Sequence, residues 1–358
     1  MKNDINTSER FDSGRPVKKR KSGAAGWIFA LLALIAAAVA VFALISRASL
    51  DARYKEAEAE LARLRSGEKE LVTDTGETLI TRTELKLWAD EVASLTELMS
   101  RLFPEHMVFT DIAGELVYLP INEQLKLHSF DFENNLSTDK ETGLKSYIGA
   151  DGAVALKGID VSVYQGRIDW DKVKADGVQF AYIRAGLRGY ESAEVFEDDM
   201  LERNLEGANA AGLPAGVYFY SQAANVEEAV EEADFVLERI ADYEISYPVV
   251  FDMEEENAST SRTKDLTPAE RTDIAIAFCE RVKQAGYIPM IYGNMRWFAA
   301  NMQLERLEEY DKWFAQYFSR PYYPYEYAAW QYTNKGRVDG ISGDVDMNIG
   351  FVDYSARE

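Results

Sequence analysis

At residues 247–254 the chain reads Tyr-Pro-Val-Val-Phe-Asp-Met-Glu, a short apolar run that ends in two acidic residues. The run has the length of a buried strand, and side chains alternate along a strand. Asp252 and Glu254 therefore point to the same face, with attachment points about 6–7 Å apart. Two carboxyl groups at this distance repel each other, which raises the proton affinity of one and leaves the other ionised. The stretch predicts a strand that delivers one proton donor and one anion to a single site.

Similar short apolar runs alternate with amphipathic stretches from residue 157 onward, which is the pattern of βα units. Eight strands are predicted, over residues 158–162, 179–185, 215–221, 248–252, 288–292, 312–316, 327–331 and 344–347. Helices are predicted over residues 169–175, 196–211, 225–241 and 268–285. The last connections are too short for full helices, so residues 151–358 predict an α/β fold, an irregular (β/α)8-type barrel with incomplete outer helices.

The active site of such a barrel is built at the C-terminal ends of its strands. Polar side chains stand at or just beyond these predicted ends, and they are Asp160, Arg184, Tyr220, Asp252, Glu254, Tyr292, Asn294, Gln316, Gln331 and Asp346. A helix cap or a surface charge would explain any one of the four carboxylates. Four of them at the ends of apolar strands predict a carboxylate-driven site.

Glycosidic bond cleavage uses this pair of groups, an acid for the leaving oxygen and an anion that supports an oxocarbenium-like transition state. The spacing alone does not separate inversion from retention, because side-chain rotamers move the oxygens by about 3 Å or more. An aromatic loop could supply flat rings for the apolar faces of sugars, although several of its rings are expected to pack under the barrel. It contains Tyr317, Phe318, Tyr322, Tyr323, Tyr325 and Tyr327, beside Trp313 and Trp330.

Composition excludes several other classes of function. The chain has 39 Lys and Arg against 61 Asp and Glu, a formal charge of −22, which argues against nucleic acid as the main partner. His106 and His128 are the only histidines and precede the barrel, so no imidazole is available there for a Ser/His/Asp triad or a zinc site. Cys279 is the only cysteine and forms no intramolecular disulfide. No cofactor and no resident metal are predicted.

The N-terminus carries a membrane signal. Residues 1–22 form a basic tail, and the 25 residues between Lys21 and Arg47 have no formal charge. A run of that length spans a bilayer core of roughly 30 Å, and the basic residues before it predict a cytoplasmic N-terminus. We therefore predict a single-pass helix over residues 23–46, with the rest of the chain outside the cell and facing the wall. The alternative is a cleaved signal peptide, but its apolar region is normally only about 7–15 residues.

Two further segments precede the barrel. Residues 47–69 show apolar positions in a 4-3-4-3 spacing, which predicts a helical stalk and, through that short seam, a weak dimer. Residues 70–150 predict a small α+β module. In this module one amphipathic helix runs from Leu85 to Leu102, and a hairpin follows with its turn at Gly114.

Seven motifs follow one another between residues 157 and 354. They are Gly158-Ile-Asp-Val-Ser162 with Tyr164-Gln-Gly-Arg-Ile-Asp-Trp170, Phe180-Ala-Tyr-Ile-Arg-Ala185, Gly216-Val-Tyr-Phe-Tyr220, Pro248-Val-Val-Phe-Asp-Met-Glu254, Trp313-Phe-Ala-Gln-Tyr317, Trp330-Gln-Tyr332 and Val345-Asp-Met-Asn348. In kind and order they resemble the family 25 glycoside hydrolases, which are lysozyme-type muramidases acting on peptidoglycan. The resemblance covers more than half of the chain and leaves out the first 150 residues.

The resemblance implies a role for each acid. Glu254 would be the general acid/base, Asp252 would assist the 2-acetamido group of the substrate, and Asp160 and Asp346 would complete an acidic floor. Substrate contacts are expected from Arg184, Tyr220, Tyr292, Gln316, Trp330 and Gln331. The loop is more acidic than the motif requires, because Glu255 and Glu256 follow Glu254, and this leaves open which glutamate points inward.

Three classes of function remain at this stage. The preferred one is a membrane-anchored muramidase that cleaves the β-1,4 bond between N-acetylmuramic acid and N-acetylglucosamine. A metal-dependent phosphodiesterase is the second, since four carboxylates could hold Mg²⁺. The third is a non-catalytic wall-binding protein. The presence of all four acids argues against this class.

Overall fold

The computed structural model describes residues 55, 71–72, 79–80, 82–92, 94–255 and 260–356. The chain divides into two compact units, Met1–Arg82 and Thr83–Glu358. In the first unit, strands β1 (Leu71–Val72) and β2 (Leu79–Ile80) pair antiparallel.

The predicted tail and membrane segment lie outside the described residues, as does the predicted stalk except for Lys55. Within the described ranges, no helix combines the length and the apolar character that crossing a membrane requires. The anchor over residues 23–46 therefore stays a prediction.

An eight-strand barrel forms most of the second unit and confirms the predicted fold. Its strands are β7 (Leu156–Val161), β8 (Phe180–Arg188), β10 (Ala215–Ser221), β11 (Val249–Met253), β12 (Pro289–Asn294), β13 (Asp311–Ala315), β14 (Ala329–Gly336) and β15 (Val345–Gly350). The order along the sheet is β10-β11-β12-β13-β14-β15-β7-β8, and β8 pairs with β10 to close the barrel. All eight predicted strands are present, with bounds shifted by a few residues.

The last strand departs from the regular pattern, because β15 runs antiparallel to both β14 and β7. Asp346 was predicted to lie at the C-terminal end of its strand, and this position in the strand was wrong. Asp346 is the second residue of β15 and is paired with Asp160, near the end of β7. It reaches the same mouth of the barrel because reversal of the strand brings its beginning there.

Alternation along β11 separates the site from the core. Val249, Phe251 and Met253 belong to the cluster between the sheet and the helices, whereas Val250 belongs to a second cluster with Tyr182 and Trp313. Asp252, two residues after Val250, lies on the same side of the strand as this second cluster. The strand therefore places its carboxylate above the packed interior of the barrel.

The barrel helices are α4 (Trp170–Ala175), α5 (Leu201–Ala211), α6 (Val226–Ile240), α7 (Pro268–Gln284) and α8 (Met295–Asn301). Helix α7 begins with a full capping box between Thr267 and Glu270, with proline in its first turn. One helix prediction was wrong at its start. Residues 196 and 197 belong to β9 (Val195–Glu197), which pairs with the end of β8, and the helix begins only at Leu201.

The α+β module precedes the barrel in the second unit, apart from its first residue, Arg82, which belongs to the first unit. It consists of α1 (Arg82–Glu91), α2 (Leu95–Leu102), β3 (His106–Thr110), β4 (Leu116–Pro120), α3 (Phe132–Asn135), β5 (Leu136–Thr138) and β6 (Lys145–Tyr147). The hairpin at Gly114 is confirmed. The single helix predicted over residues 85–102 is instead two, because Ser94 caps the second by accepting a hydrogen bond from the Glu97 amide at 3.1 Å.

Aromatic rings join the module to the barrel. Phe130 stacks on Phe351 with ring centroids 4.1 Å apart, and Phe130 also meets the edge of Tyr327 at 5.4 Å. Phe132 contacts Trp330 at 6.1 Å. Packing across this seam covers aromatic surface of both parts. The predicted domain boundary at residue 150 lies within this unit and stays a prediction.

Candidate active site

Three neighbouring strands align predicted site residues at the mouth of the barrel. Tyr220 on β10 is the register partner of Asp252 on β11, which is the partner of Tyr292 on β12. On the other side of the barrel, Asp160 and Asp346 are partners across β7 and β15. The fold thus brings together residues from five strands that are distant in sequence.

Asp160 is almost fully buried and is held by two amide groups. Its Oδ2 atom accepts hydrogen bonds from Gln331 Nε2 at 2.9 Å and from Asn348 Nδ2 at 2.8 Å. The indole nitrogen of Trp313 donates to Asn348 Oδ1 at 2.7 Å and so fixes the orientation of that amide. Asn348 was not among the predicted site residues, although it stands at the end of the seventh motif.

Gln331 links the acid floor to the aromatic rim. Its Oε1 atom accepts hydrogen bonds from the Tyr292 hydroxyl at 3.0 Å and from the Tyr317 hydroxyl at 2.8 Å. Because its Nε2 atom donates to Asp160, the side chain has one consistent orientation. Tyr317 is 45% exposed, so its ring is available at the surface of the site.

Burial dominates the electrostatics of the cluster. It raises the pKa of Asp160 well above its ordinary value, and the charge of Asp346 adds to the effect. Burial also raises the pKa of Asp252, with further contributions from the charges of Glu254 and Asp160. The pKa of Asp346 rises to about 6, mainly through burial. The floor formed by Asp160 and Asp346 therefore retains protons at pH values where surface carboxyl groups are ionised.

Asp252 has an unsatisfied acceptor. In the described part of the chain, its buried Oδ1 atom has no hydrogen-bond partner. A buried carboxylate oxygen without a donor is costly, so such an atom is a natural place for a donor on a substrate. The positive charge of Arg184 opposes the other influences on Asp252 and lowers its pKa.

Arg184 is oriented by an acid that the sequence argument missed. Its Nε atom donates to Asp198 Oδ2 at 2.7 Å, and the same oxygen accepts the Val163 amide at 3.0 Å. Its guanidinium also lies 5.2 Å from the ring centroid of Tyr164, which is largely exposed at the rim. Asp198 follows β9 outside every motif, so no sequence signal pointed to it.

The glutamates after β11 point to different partners. Glu254 is half-buried and lines a cavity together with Tyr292. Glu255 forms an ion pair with Arg296, its Oε2 atom 2.7 Å from Nη2. Glu256 lies outside the described residues. This arrangement favours Glu254 as the glutamate of the site.

Two predicted substrate contacts have different surroundings. Gln316 is largely buried at the cavity, and its Oε1 atom accepts the Tyr322 amide at 2.8 Å. Trp330 is fully buried, donates its indole hydrogen to the Gln316 carbonyl at 2.8 Å and packs against Tyr332. Its ring packs against Phe132 of the α+β module and is not exposed at the surface of the site, where a sugar contact was predicted.

No group of three His, Cys, Asp or Glu side chains in the described ranges has the arrangement of a metal site.

Tyr218 is a further residue of the site that was not predicted. It is the register partner of Arg184, burial raises its pKa, and the charge of Asp160 raises it further. Its place within the third motif, on β10, was the available signal.

The raised pKa of Asp346 gives a stability prediction. The folded state binds this proton more tightly than the unfolded state, so the charged carboxylate costs stability once the pH exceeds its ordinary pKa of 3.8. Asp346→Asn is therefore expected to raise the free energy of unfolding at pH 7 by about 1–3 kcal/mol. The gain should disappear at about pH 3.5, where both states hold the proton.

Urea unfolding of the parent and the variant at pH 3.5 and pH 7 measures this difference. Asp344→Asn, at an exposed position directly before β15, is the control and should change the free energy of unfolding by no more than about 0.5 kcal/mol. A stabilisation by Asp346→Asn of equal size at both pH values would contradict the electrostatic explanation.

Known proteins resemble this chain over the barrel. The sequence profile of Glycosyl hydrolases family 25 matches residues 159–341, just over half of the chain. The uncharacterized protein YegX of Escherichia coli K12 is 31% identical over 203 residues, which cover 54% of this chain and 69% of YegX. Lysozyme M1 of Streptomyces globisporus is 29% identical over 211 residues, covering 56% of this chain and 69% of that lysozyme.

Among solved structures, the modular autolysin LytC of Streptococcus pneumoniae is 25% identical, with a TM-score of 0.49. That match covers 68% of this chain and 56% of LytC, so the chain spans little more than half of the autolysin's length. The profile match and the curated relatives confirm the expected family. The chain belongs to family 25 of the glycosyl hydrolases, and it is a glycoside hydrolase of the lysozyme type.

Proposed function

We propose that this protein is a membrane-anchored peptidoglycan hydrolase that cleaves the β-1,4 bond between N-acetylmuramic acid and N-acetylglucosamine. The observation that carries the proposal is the unpartnered Oδ1 atom of Asp252, buried in an acid cluster next to Glu254. Both sugars of peptidoglycan carry a 2-acetamido group, whose N–H is a donor of the right kind for this oxygen. Family membership and the lysozyme relatives support the substrate class.

In the proposed reaction, Glu254 donates a proton to the glycosidic oxygen as the bond to the anomeric carbon breaks. Asp252 holds the acetamido N–H, and the acetamido carbonyl oxygen attacks the anomeric carbon to form a cyclic oxazolinium intermediate. Water then attacks the same carbon, its proton passes to Glu254, and the acetamido group is restored. The negative charge of Asp252 stabilises the positive charge that develops on the sugar.

The remaining acids and amides of the site hold Asp252 and Glu254 in place. Asp160 is fixed by Gln331 and Asn348, and it shares the acidic floor with Asp346. Protons retained by the floor reduce the repulsion that a fully charged cluster would exert on Asp252. The exposed ring of Tyr317 offers a flat surface at the rim for a sugar face.

Digestion of purified peptidoglycan by the full-length protein in mild detergent tests this function. Borohydride reduction followed by mass spectrometry is expected to find new reducing ends on N-acetylmuramic acid. Reducing ends on N-acetylglucosamine would contradict the assigned bond, and the absence of new reducing ends would support a wall-binding protein. EDTA is expected to leave the activity unchanged. Loss of activity in EDTA would favour the metal-dependent phosphodiesterase.

The anchor and the location outside the cell rest on sequence alone. The basic run before 25 uncharged residues supports a single-pass helix over residues 23–46 with the barrel facing the wall, and the stalk over residues 47–69 supports a weak dimer. Protease added to intact cells should then remove the barrel and leave the extreme N-terminus protected. A barrel that resists this protease until the cells are lysed would contradict the proposed location.

A further inference from the structure

A cavity of about 570 Å³ opens beside Glu254 and has walls from two parts of the chain. The barrel side includes Tyr292 and Phe318, and the opposite side includes Thr96 and Thr110 of the α+β module. The module lies wholly before the segment that matches the family. Nothing in the family assignment therefore gives this wall a role.

The polar groups of the module wall are held in defined positions. The hydroxyls of Thr96 and Thr110 lie 2.9 Å apart and form a hydrogen bond that joins α2 to β3. This bond uses one of the two hydroxyl hydrogens, so the pair can donate the other to a ligand. The wall is thus a fixed pair of hydroxyls beside apolar surface from Val108.

The module also holds the loop that forms the far edge of the cavity. The Ser319 amide donates to the buried Glu97 carboxylate at 2.6 Å, and the Ser319 carbonyl accepts from Lys145 Nζ at 2.9 Å. Ser319 follows Phe318 directly, so both backbone groups next to this ring are bound by module side chains. The spacing between the ring and the threonine pair is therefore fixed by the fold.

The chemistry of the cavity suits an uncharged saccharide. Its lining includes hydroxyl and amide side chains together with aromatic rings, which is the combination that sugars bind. Among its described lining residues the one cation is Arg296, and Glu255 already pairs with that side chain. The peptide stems of peptidoglycan carry carboxylates, and the described lining of the cavity offers them no cation that is not already paired.

We propose that Thr96 and Thr110 bind an N-acetylglucosamine unit adjacent to the N-acetylmuramic acid that is cleaved, so that the α+β module forms part of the substrate cleft. This rests on the proposed function. The two sugars alternate along a glycan strand, and both neighbours of a cleaved N-acetylmuramic acid are therefore N-acetylglucosamine. The occupant is the same whichever side of the bond faces the cavity.

Two double variants separate the hydroxyls from the packing. Thr96→Val with Thr110→Val keeps the shape and removes both hydroxyls, whereas Thr96→Ser with Thr110→Ser keeps both hydroxyls. Losing one or two hydrogen bonds to the sugar should raise the KM of the full-length enzyme for peptide-free glycan strands about 5- to 20-fold in the valine variant. The serine variant should stay within about twofold of the parent, and kcat should change little in either.

A second hydroxyl pair of the module is the matched control. Ser137 and Ser146 bond at 2.8 Å across β5 and β6, are exposed and do not line this cavity. Replacing both with alanine should leave KM unchanged. Equal KM in the parent and the valine variant, or equal increases in the valine and serine variants, would overturn the proposal while the muramidase function stands.

The substrate itself supplies the remaining controls. An increase in KM that appears only with peptide-bearing peptidoglycan would indicate that the cavity binds the peptide stem. It would overturn the proposal that the cavity binds a saccharide. A parent enzyme that produces no new reducing ends would overturn the proposed function and this inference with it.

Discussion

Replacing Glu254 with glutamine is expected to abolish turnover of peptidoglycan while the protein folds normally and still binds glycan strands. Glutamine is nearly isosteric, but its amide cannot give a proton to the leaving oxygen. General acid catalysis is worth about 10²–10⁴-fold, so kcat should fall by at least that factor. Release of reducing ends measures kcat, and sedimentation with insoluble peptidoglycan measures binding.

Glu255→Gln is the matched control. Because Glu255 pairs with Arg296, this variant is expected to retain most of the activity. An inactive Glu255→Gln beside an active Glu254→Gln would show that the other glutamate is the acid. Full activity in both single variants would contradict general acid catalysis by either residue. Circular dichroism and a urea midpoint close to the parent's would establish that each variant is folded.

Asp252→Asn is the second change with a large expected effect. Asparagine keeps the shape of the side chain and removes the charge that supports the oxazolinium intermediate. Its amide group can also present a donor where the acetamido N–H needs an acceptor. Loss of such electrostatic support typically costs about 10²–10³-fold in kcat. A kcat within threefold of the parent would contradict the role assigned to Asp252.

The same residue allows a test of the stereochemistry. Participation of the acetamido group gives a first product with the β configuration, and a thiazoline mimic of the cyclised sugar should bind tightly to the parent and weakly to Asp252→Asn. Direct attack by water would give the α anomer first, with a water between carboxyls about 6.5–9.5 Å apart. Proton NMR of the earliest product distinguishes the two. An initial α anomer would eliminate the neighbouring-group mechanism and leave the muramidase assignment in place.

Strand periodicity was sufficient to predict the barrel. Short apolar runs that end in polar groups gave all eight strands, and alternation along β11 placed Asp252 on the side of the interior. The direction of a strand could not be predicted in this way, because an apolar run has the same pattern whether the strand is parallel or antiparallel to its neighbours. Asp346 was consequently predicted at the correct mouth for a wrong reason, and only the pairing of β15 with β7 explains its position.

Contacts between distant segments could not be predicted from spacing. Asp198 orients Arg184 from a position without a motif, and Trp330 packs against Phe132, which is almost two hundred residues earlier in the chain. The hydrogen bonds of Gln331 likewise join residues of four separate segments. Such contacts are set by tertiary packing, for which a single sequence carries no periodic signal.

The aromatic seam between the module and the barrel limits where the enzyme can be shortened. A fragment that begins at residue 151, close to the start of the family match, would lose Phe130, whose ring covers Tyr327 and Phe351. Exposed aromatic patches of this kind promote association between molecules. The smallest part of the chain that stays monomeric and soluble on its own is therefore expected to be considerably longer than the catalytic homology suggests.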